Sequence, residues 1–200
     1  MAVLPTEATC LSRDWIADVS FFNRLRAEDA RVAAAVKLAG CQPCGGRLDR
    51  ANYPRKPRGG DVAVVGEALD SRCSFCCARE GCRKRATPPS LVFLGRRVYL
   101  AVTIVITAWR SMVTVTPPPS SPSRRTLRRW LAWFAFELPA TPWFTTVKAR
   151  LSPPMEPSER LPGALVERFL GHHPVGEAIP ATLRLFAPLS TVTATMRSTA

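Results

Sequence analysis

Between Cys41 and Ser90 the chain runs through CQPCGGRLDRANYPRKPRGG and SRCSFCCAREGCRKRATPPS, which hold six of its seven cysteines and no long apolar run. A segment of that composition cannot bury enough surface to fold on hydrophobicity alone. Either it is loop, or something else staples it. The thiols are the natural staple.

Cys41 and Cys44 form a C-x2-C pair followed by two glycines. Two thiolates at this spacing reach one tetrahedral ion from a tight turn, and the glycine after them relaxes the backbone there. A second pair some way along the chain completes a four-thiolate site, and two pairs compete for that place. Cys73 with Cys76 gives another C-x2-C, while Cys77 with Cys82 gives a C-x4-C across AREG, whose glycine eases the turn. Cys76 and Cys77 are adjacent, so in an extended strand they point apart and at most one faces a shared ion. Spacing by itself leans slightly to Cys73 and Cys76. Cys10 stands alone and reads as a buried small hydrophobe.

The charge is as uneven as the thiols. The chain carries 28 Lys and Arg against 15 Asp and Glu, a net +13. Residues 1–40 hold five of each sign and residues 151–200 four of each, whereas residues 41–100 hold twelve basic against five acidic and residues 101–150 seven against one. The excess lies wholly in the middle, where a polyanion would meet it, since clustered Lys and Arg release condensed counterions from phosphates. The competing reading is a plain solubilising surface. Arg47, Arg50, Arg55, Lys56 and Arg58 follow the first cysteine pair, and Arg83, Lys84 and Arg85 leave the last, with Tyr53 among them as a stacking face. Nothing there fixes a groove or a register, so phosphate contacts suit it better than base reading. Engaging about six phosphates would weaken binding about a thousandfold between roughly 50 and 200 mM salt.

Around this segment the chain is helical. Residues 12–38 read as an amphipathic helix, with Ser12 as cap, Asp14 in the first turn, Trp15, Val19, Phe22 and Leu25 at three- and four-residue steps, and Gly40 as stop. LVFLGRRVYLAVTIVITAW at 91–109 is the one strongly apolar stretch, uncharged from Val98 to Trp109. A membrane span needs about twenty such residues, so this is a buried core element, with periodicity leaving helix or strand open. PPPSSPS at 117–123 has the composition of a linker. SRRTLRRWLAWFAFELP then reads as a second helix. Ser123 caps it, Arg124, Arg125, Arg128 and Arg129 fill its first turns, Leu127, Trp130, Leu131 and Phe134 make its apolar stripe, and Pro139 stops it. Residues 158–188 suggest two short helices, around GALVERFL and ATLRLFAPL, and the Ser/Thr-rich end reads as frayed. The opening MAVLPTEATCLS lacks a basic n-region and a long apolar core, which predicts a reducing, cytoplasmic setting where thiols bind metal rather than form disulfides.

CQPCGGRLDRANYPRKPRGG followed by SFCCAREGCRKRATPPSLVFLGRRVYL resembles the zinc ribbon of small bacterial proteins associated with transposases and other mobile elements. The second knuckle is similar to the Ogr/Delta type of phage transcription activator. This resemblance implies Zn²⁺ on Cys41, Cys44, Cys77 and Cys82, with Cys73 as an ordinary strand residue and an arginine-rich strand after the knuckle. Four protein thiolates close the coordination shell, so the implied site is structural. The resemblance extends through SRRTLRRWLAWFAFELPATPWFTTVKARLSPP, where the related proteins carry a helix-turn-helix. Here MVTVTPPPSSP cannot be helical through its prolines, so the scanning helix is missing or eroded. The helix after Ser123 then either offers its basic start to a groove or is a core helix with an exposed basic end.

The expected fold is α+β: a small zinc ribbon of two β-hairpins flanked by an N-terminal helix and a C-terminal set of short helices. The expected divisions are 1–40 (helix), 41–95 (ribbon), 96–116 (core element), 117–123 (linker), 124–188 (helical region) and 189–200 (disordered tail). No P-loop, GxSxG or HExxH occurs, acidic residues are scarce in the basic half, and His172 and His173 read as a helix-terminus cation. The expectation is a non-enzyme that binds nucleic acid, DNA before RNA, with no small-molecule substrate. Two alternatives stand beside it: an adaptor for a transposase-like partner, and a single-span membrane protein anchored through Val98–Trp109.

Overall fold

The computed structural model describes residues 18–60, 69–95, 97, 99–113 and 122–191. Cys10, Ser12, Asp14, Trp15, most of the 117–123 linker and the end of the 189–200 tail lie outside the described residues.

The first helix, α1 (Val19–Ala39), opens at Asp18, whose carboxylate accepts from the Ser20 amide at 2.7 Å. The described helix is therefore capped by Asp18, six residues after the expected cap Ser12, which lies outside the described residues. Gly40 ends the helix as expected. Its buried face changes character along its length: Phe21, Phe22 and Leu25 enter a large helical core, whereas Ala33 and Val36 lie on a second, small core under the cysteines. Helix α1 is thus one rod shared by two cores.

Five short strands follow among the described residues: β1 (Leu48–Arg50), β2 (Tyr53–Pro54), β3 (Ser71–Arg72), β4 (Phe75–Cys77) and β5 (Arg85–Ala86). They form two antiparallel sheets, β1-β4-β5 and β2-β3. The pairs Leu48↔Cys77, Arg50↔Phe75, Tyr53↔Arg72 and Pro54↔Ser71 keep one register, and the Ala51–Ser74 and Arg55–Asp70 backbone bonds fall in it too. The two sheets are accordingly one long two-stranded arm, widened by β5 at the end that carries Cys77. Together with the helices this makes the chain α+β.

The apolar stretch is helix α2 (Ala101–Val113), and every side chain from Ala101 to Trp109 is buried. A helix enclosed on all sides carries no amphipathic period, which is why its spacing could not separate helix from strand. Among the described residues no helix is long and apolar enough to cross a membrane. The base of the arm is fastened to α2: the Thr103 hydroxyl donates to the Gly59 carbonyl, and the Leu100 amide donates to the Arg58 carbonyl. Leu91–Leu94 also enter the helical core, so residue 95 is not a boundary between the two halves.

Helix α3 (Arg124–Ala132) is capped by Ser123 as read from the sequence, but it does not continue as one α-helix to Pro139. Residues Trp133–Glu137 form a wider turn in which the Leu138 amide donates to the Trp133 carbonyl. In an α-helix a four-residue step drifts by roughly 40°, and the wider turn takes that drift back. Trp130, Phe134 and Leu138 therefore stay on one buried side, with Trp133 beside them. Helices α4 (Pro142–Lys148), α5 (Gly163–His172) and α6 (Val175–Phe186) complete the helical half, followed by a 3-10 turn at Ala187–Ser190. Leu189 and Ser190 are buried, so the folded body reaches past residue 188 into what the sequence suggested was tail. His172 and His173 are exposed at the end of α5.

Candidate metal centre

The arm's register builds the centre. Pairing Leu48 with Cys77 places the start of β1 beside the end of β4, and the Ala78 amide extends the ladder to the Arg47 carbonyl. The turn that precedes β1 (Cys41–Gly46) and the turn between β4 and β5 (Cys77–Lys84) are thereby forced together. In the first, the Cys41 amide donates to the Gly46 carbonyl at 2.8 Å and the Gly45 amide returns to the Cys41 carbonyl at 2.7 Å. In the second, the Cys82 and Arg83 amides both reach the Arg79 carbonyl, and Gly81 takes a φ of 80°, a conformation that L side chains rarely adopt.

The Sγ atoms of Cys41, Cys44, Cys77 and Cys82 lie within 4.8 Å of one another. Cys41 and Cys82 are 3.7 Å apart, and Cys44 and Cys77 are 3.5 Å apart. A disulfide would need about 2.05 Å. Four sulfurs at about 2.3 Å from one ion form a tetrahedron whose edge is about 3.8 Å, and the observed separations match that edge. The residues present fit a four-thiolate metal centre.

Period-two alternation explains which thiols take part. In β4, Phe75 and Cys77 face inward and Cys76 faces the other way, its thiol donating to the Arg83 carbonyl at 3.4 Å. Cys73 shares the inward parity but stands four residues up the strand from Cys77, about 13 Å along an extended chain. It packs against the small core instead. The structure thus groups the C-x4-C pair with Cys41 and Cys44, and leaves Cys73 and Cys76 apart.

Electrostatics around the sulfurs are uneven. Burial pushes the Cys41 thiol up to about 12, while the Gly46 amide, donating to Cys44, draws that thiol down to about 7. Burial also raises Cys77. A divalent cation among the four would hold all of them as thiolates.

Gly46 is the tightest point of the centre. A Cβ built there would lie 3.0 Å from Cys77 Sγ and 3.3 Å from Cys44 Sγ. Gly46→Ala is expected to push two ligands apart and speed metal loss to a chelator about tenfold, read with a chromogenic indicator under conditions where the unsubstituted protein retains its metal; this corresponds to roughly 1.4 kcal/mol, at the low end of overpacking costs.

The basic residues divide into three groups. Arg50, Lys56, Arg58, Arg83 and Lys84 are exposed, and Arg47 is exposed but paired with Asp49 at 3.2 Å. Arg124, Arg125, Arg128 and Arg129 are exposed on α3. Two others are occupied by the fold. Arg55 donates to the Gly95 and Arg97 carbonyls and lies over the Phe93 ring. Arg85, though exposed, donates to the Ala51 carbonyl and Ser74 hydroxyl and covers Tyr53, so that ring is not a free stacking face. Arg79 escaped the sequence reading. It is exposed inside the C-x4-C turn, where its place between two ligands was the available signal, and its guanidinium reaches the Cys44 carbonyl at 3.5 Å.

No protein-family model matches the chain, and neither a curated protein nor a solved structure proves similar to it.

Proposed function

We propose that this is a zinc-stabilised nucleic-acid-binding protein that acts by binding rather than by catalysis. The donor set of four sulfurs favours Zn²⁺ and leaves no open position for a substrate. The ion takes the place of a hydrophobic core, holding both turns rigid and the cations around them fixed. One observation carries the nucleic-acid reading: Arg83 and Lys84 beside the thiolates, and Arg50, Lys56 and Arg58 along the arm, stand exposed without an ion pair among the described residues. Fixed like charges repel one another, and a polyanion relieves that repulsion while releasing its own counterions. The resemblance of the knuckles to transposase-associated proteins is the reason to read the protein as an accessory of mobile elements.

The test is a salt titration of binding to a fluorescein-labelled 20-base-pair duplex. The Arg83→Gln/Lys84→Gln protein is expected to keep its zinc and to lose about 1.8 from the slope of log K against log salt, about 0.9 per phosphate contact. An unsubstituted protein that ignores the duplex at low salt would sink the reading.

A further inference from the structure

We propose that the arm and helix α3 form a single continuous track for the phosphates of one DNA duplex. This deepens the nucleic-acid reading above and rests on it. In sequence the two basic groups are far apart, with Lys56 and Arg58 on one side and Arg125 and Arg129 on the other. In the fold they are joined through a short seam. Arg58 bridges to Tyr99, and the Tyr99 ring meets the Trp130 ring edge-on with centroids 4.9 Å apart. Trp130 lies between Arg129 and Leu131 on α3, so only two side chains separate the Arg58 backbone from the root of that helix's basic face.

A second strand of contacts runs parallel to the first. Arg55 donates to the Arg97 carbonyl at 2.6 Å, and the Arg97 guanidinium lies 4.1 Å over the Trp133 ring. Burial lowers the Arg97 pKa, the nearby Glu137 carboxylate offsets part of that, and Arg129 is close enough to add a smaller repulsion. The seam therefore holds a half-buried guanidinium with a carboxylate close by. A gap of neutral or acidic surface between arm and helix would have argued for two separate sites, and the seam supplies a guanidinium there instead.

The track also selects its ligand class. Proteins that hold single strands offer exposed rings on which bases stack. Here Tyr53 is half-buried under Arg85, and Trp130 and Trp133 are buried. Phe136 is exposed, but it lies beyond the basic turns and next to Glu137. Cations without ring faces suit the regular phosphates of a duplex. Eight extended residues of the arm cover about 26 Å and the nine of α3 about 13 Å.

The experiment compares four proteins on a 16-base-pair duplex: unsubstituted, Lys56→Gln/Arg58→Gln, Arg125→Gln/Arg129→Gln, and the fourfold variant. Each double variant is expected to lower the salt slope by about 1.8 and the fourfold variant by about 3.6, with one duplex bound per chain throughout. If either double variant leaves the slope unchanged, or if one chain binds two duplexes, the single track is overturned while nucleic-acid binding stands. Tighter binding to a 16-nucleotide oligo(dT) than to the duplex overturns the ligand class. Failure of the unsubstituted protein to bind either probe overturns the functional reading, and this inference with it.

Discussion

Cys77→Ser is expected to cost the protein its bound metal and with it the fold of residues 41–90, while Cys73→Ser and Cys76→Ser leave both intact. The small core beneath the turns consists of Ala33, Cys41, Leu48, Phe75 and Cys77, and two of these five belong to the four-sulfur cluster. Among the described residues Leu48 and Phe75 are its only fully buried large apolar side chains, and burying them supplies about 5 kcal/mol together. Ordering a single residue costs about 1–2 kcal/mol, so two side chains cannot hold some fifty residues in place. A structural zinc ion contributes on the order of 10–16 kcal/mol, and in its absence small metal-dependent modules are unfolded. Metal content by plasma mass spectrometry and hydrogen exchange of the paired amides in residues 48–55 and 70–77 check the result. The helical core, whose buried residues make a separate cluster, is expected to keep its protection. Equal metal in the Cys77→Ser and Cys73→Ser proteins would show that the sulfurs are grouped differently.

The second large effect is expected at Arg72, a charged side chain only 3 % exposed. Its guanidinium donates to the Pro88 carbonyl and to Ser190 Oγ and lies 5.7 Å from the centroid of Phe93. Ser190 in turn accepts from the Ser90 amide at 2.7 Å, and the Ser90 hydroxyl donates to Asp29, which also accepts from the Leu91 amide at 2.7 Å. One polar chain thus ties β3, the segment before α2, the end of the fold and α1. Burial lowers the Arg72 pKa and raises that of Asp29, and the opposite charge of each offsets part of the shift in the other. Arg72→Met removes the donor to the Pro88 carbonyl and Ser190 Oγ and the positive charge nearest to Asp29, which keeps its bonds from Ser90 and Leu91. Leaving a buried acceptor without its donor costs about 1–3 kcal/mol, which lowers Tm by roughly 5 °C in a chain of this size. Asp29→Asn keeps an acceptor for the Leu91 amide and is expected to cost only about 1 kcal/mol. Thermal melts of the two variants check both values, and an Arg72→Met protein as stable as the unsubstituted one would remove the network from the account.

What the sequence could and could not convey follows from the range of each interaction. Local signals were readable: the end of α1 at Gly40, the cap of α3 at Ser123, and the paired cysteines as a staple for a segment without a core. The choice between Cys73 with Cys76 and Cys77 with Cys82 was not readable from spacing. It depends on the register of β1 against β4, which spans some thirty residues and shows no local mark. Helix α2 hid its type because a fully enclosed helix has no polar face to set a period. Arg55 and Arg72 look like any other basic residue in the chain; only the fold turns them toward carbonyls. The wider turn after α3 is likewise invisible locally, since it answers to where Trp130, Phe134 and Leu138 must point.

Helix α1 has a consequence beyond packing, because the same rigid rod enters the helical core at Phe22 and Leu25 and the metal module at Ala33 and Val36. Each residue along such a rod turns the next side chain by about 100°. The eight-residue step from Leu25 to Ala33 therefore works as a phase-setting spacer, fixing the angle at which the cysteine module is presented. Adding or deleting one residue there would swing one half of the molecule out of step with the other, while leaving every sulfur and every core side chain in place.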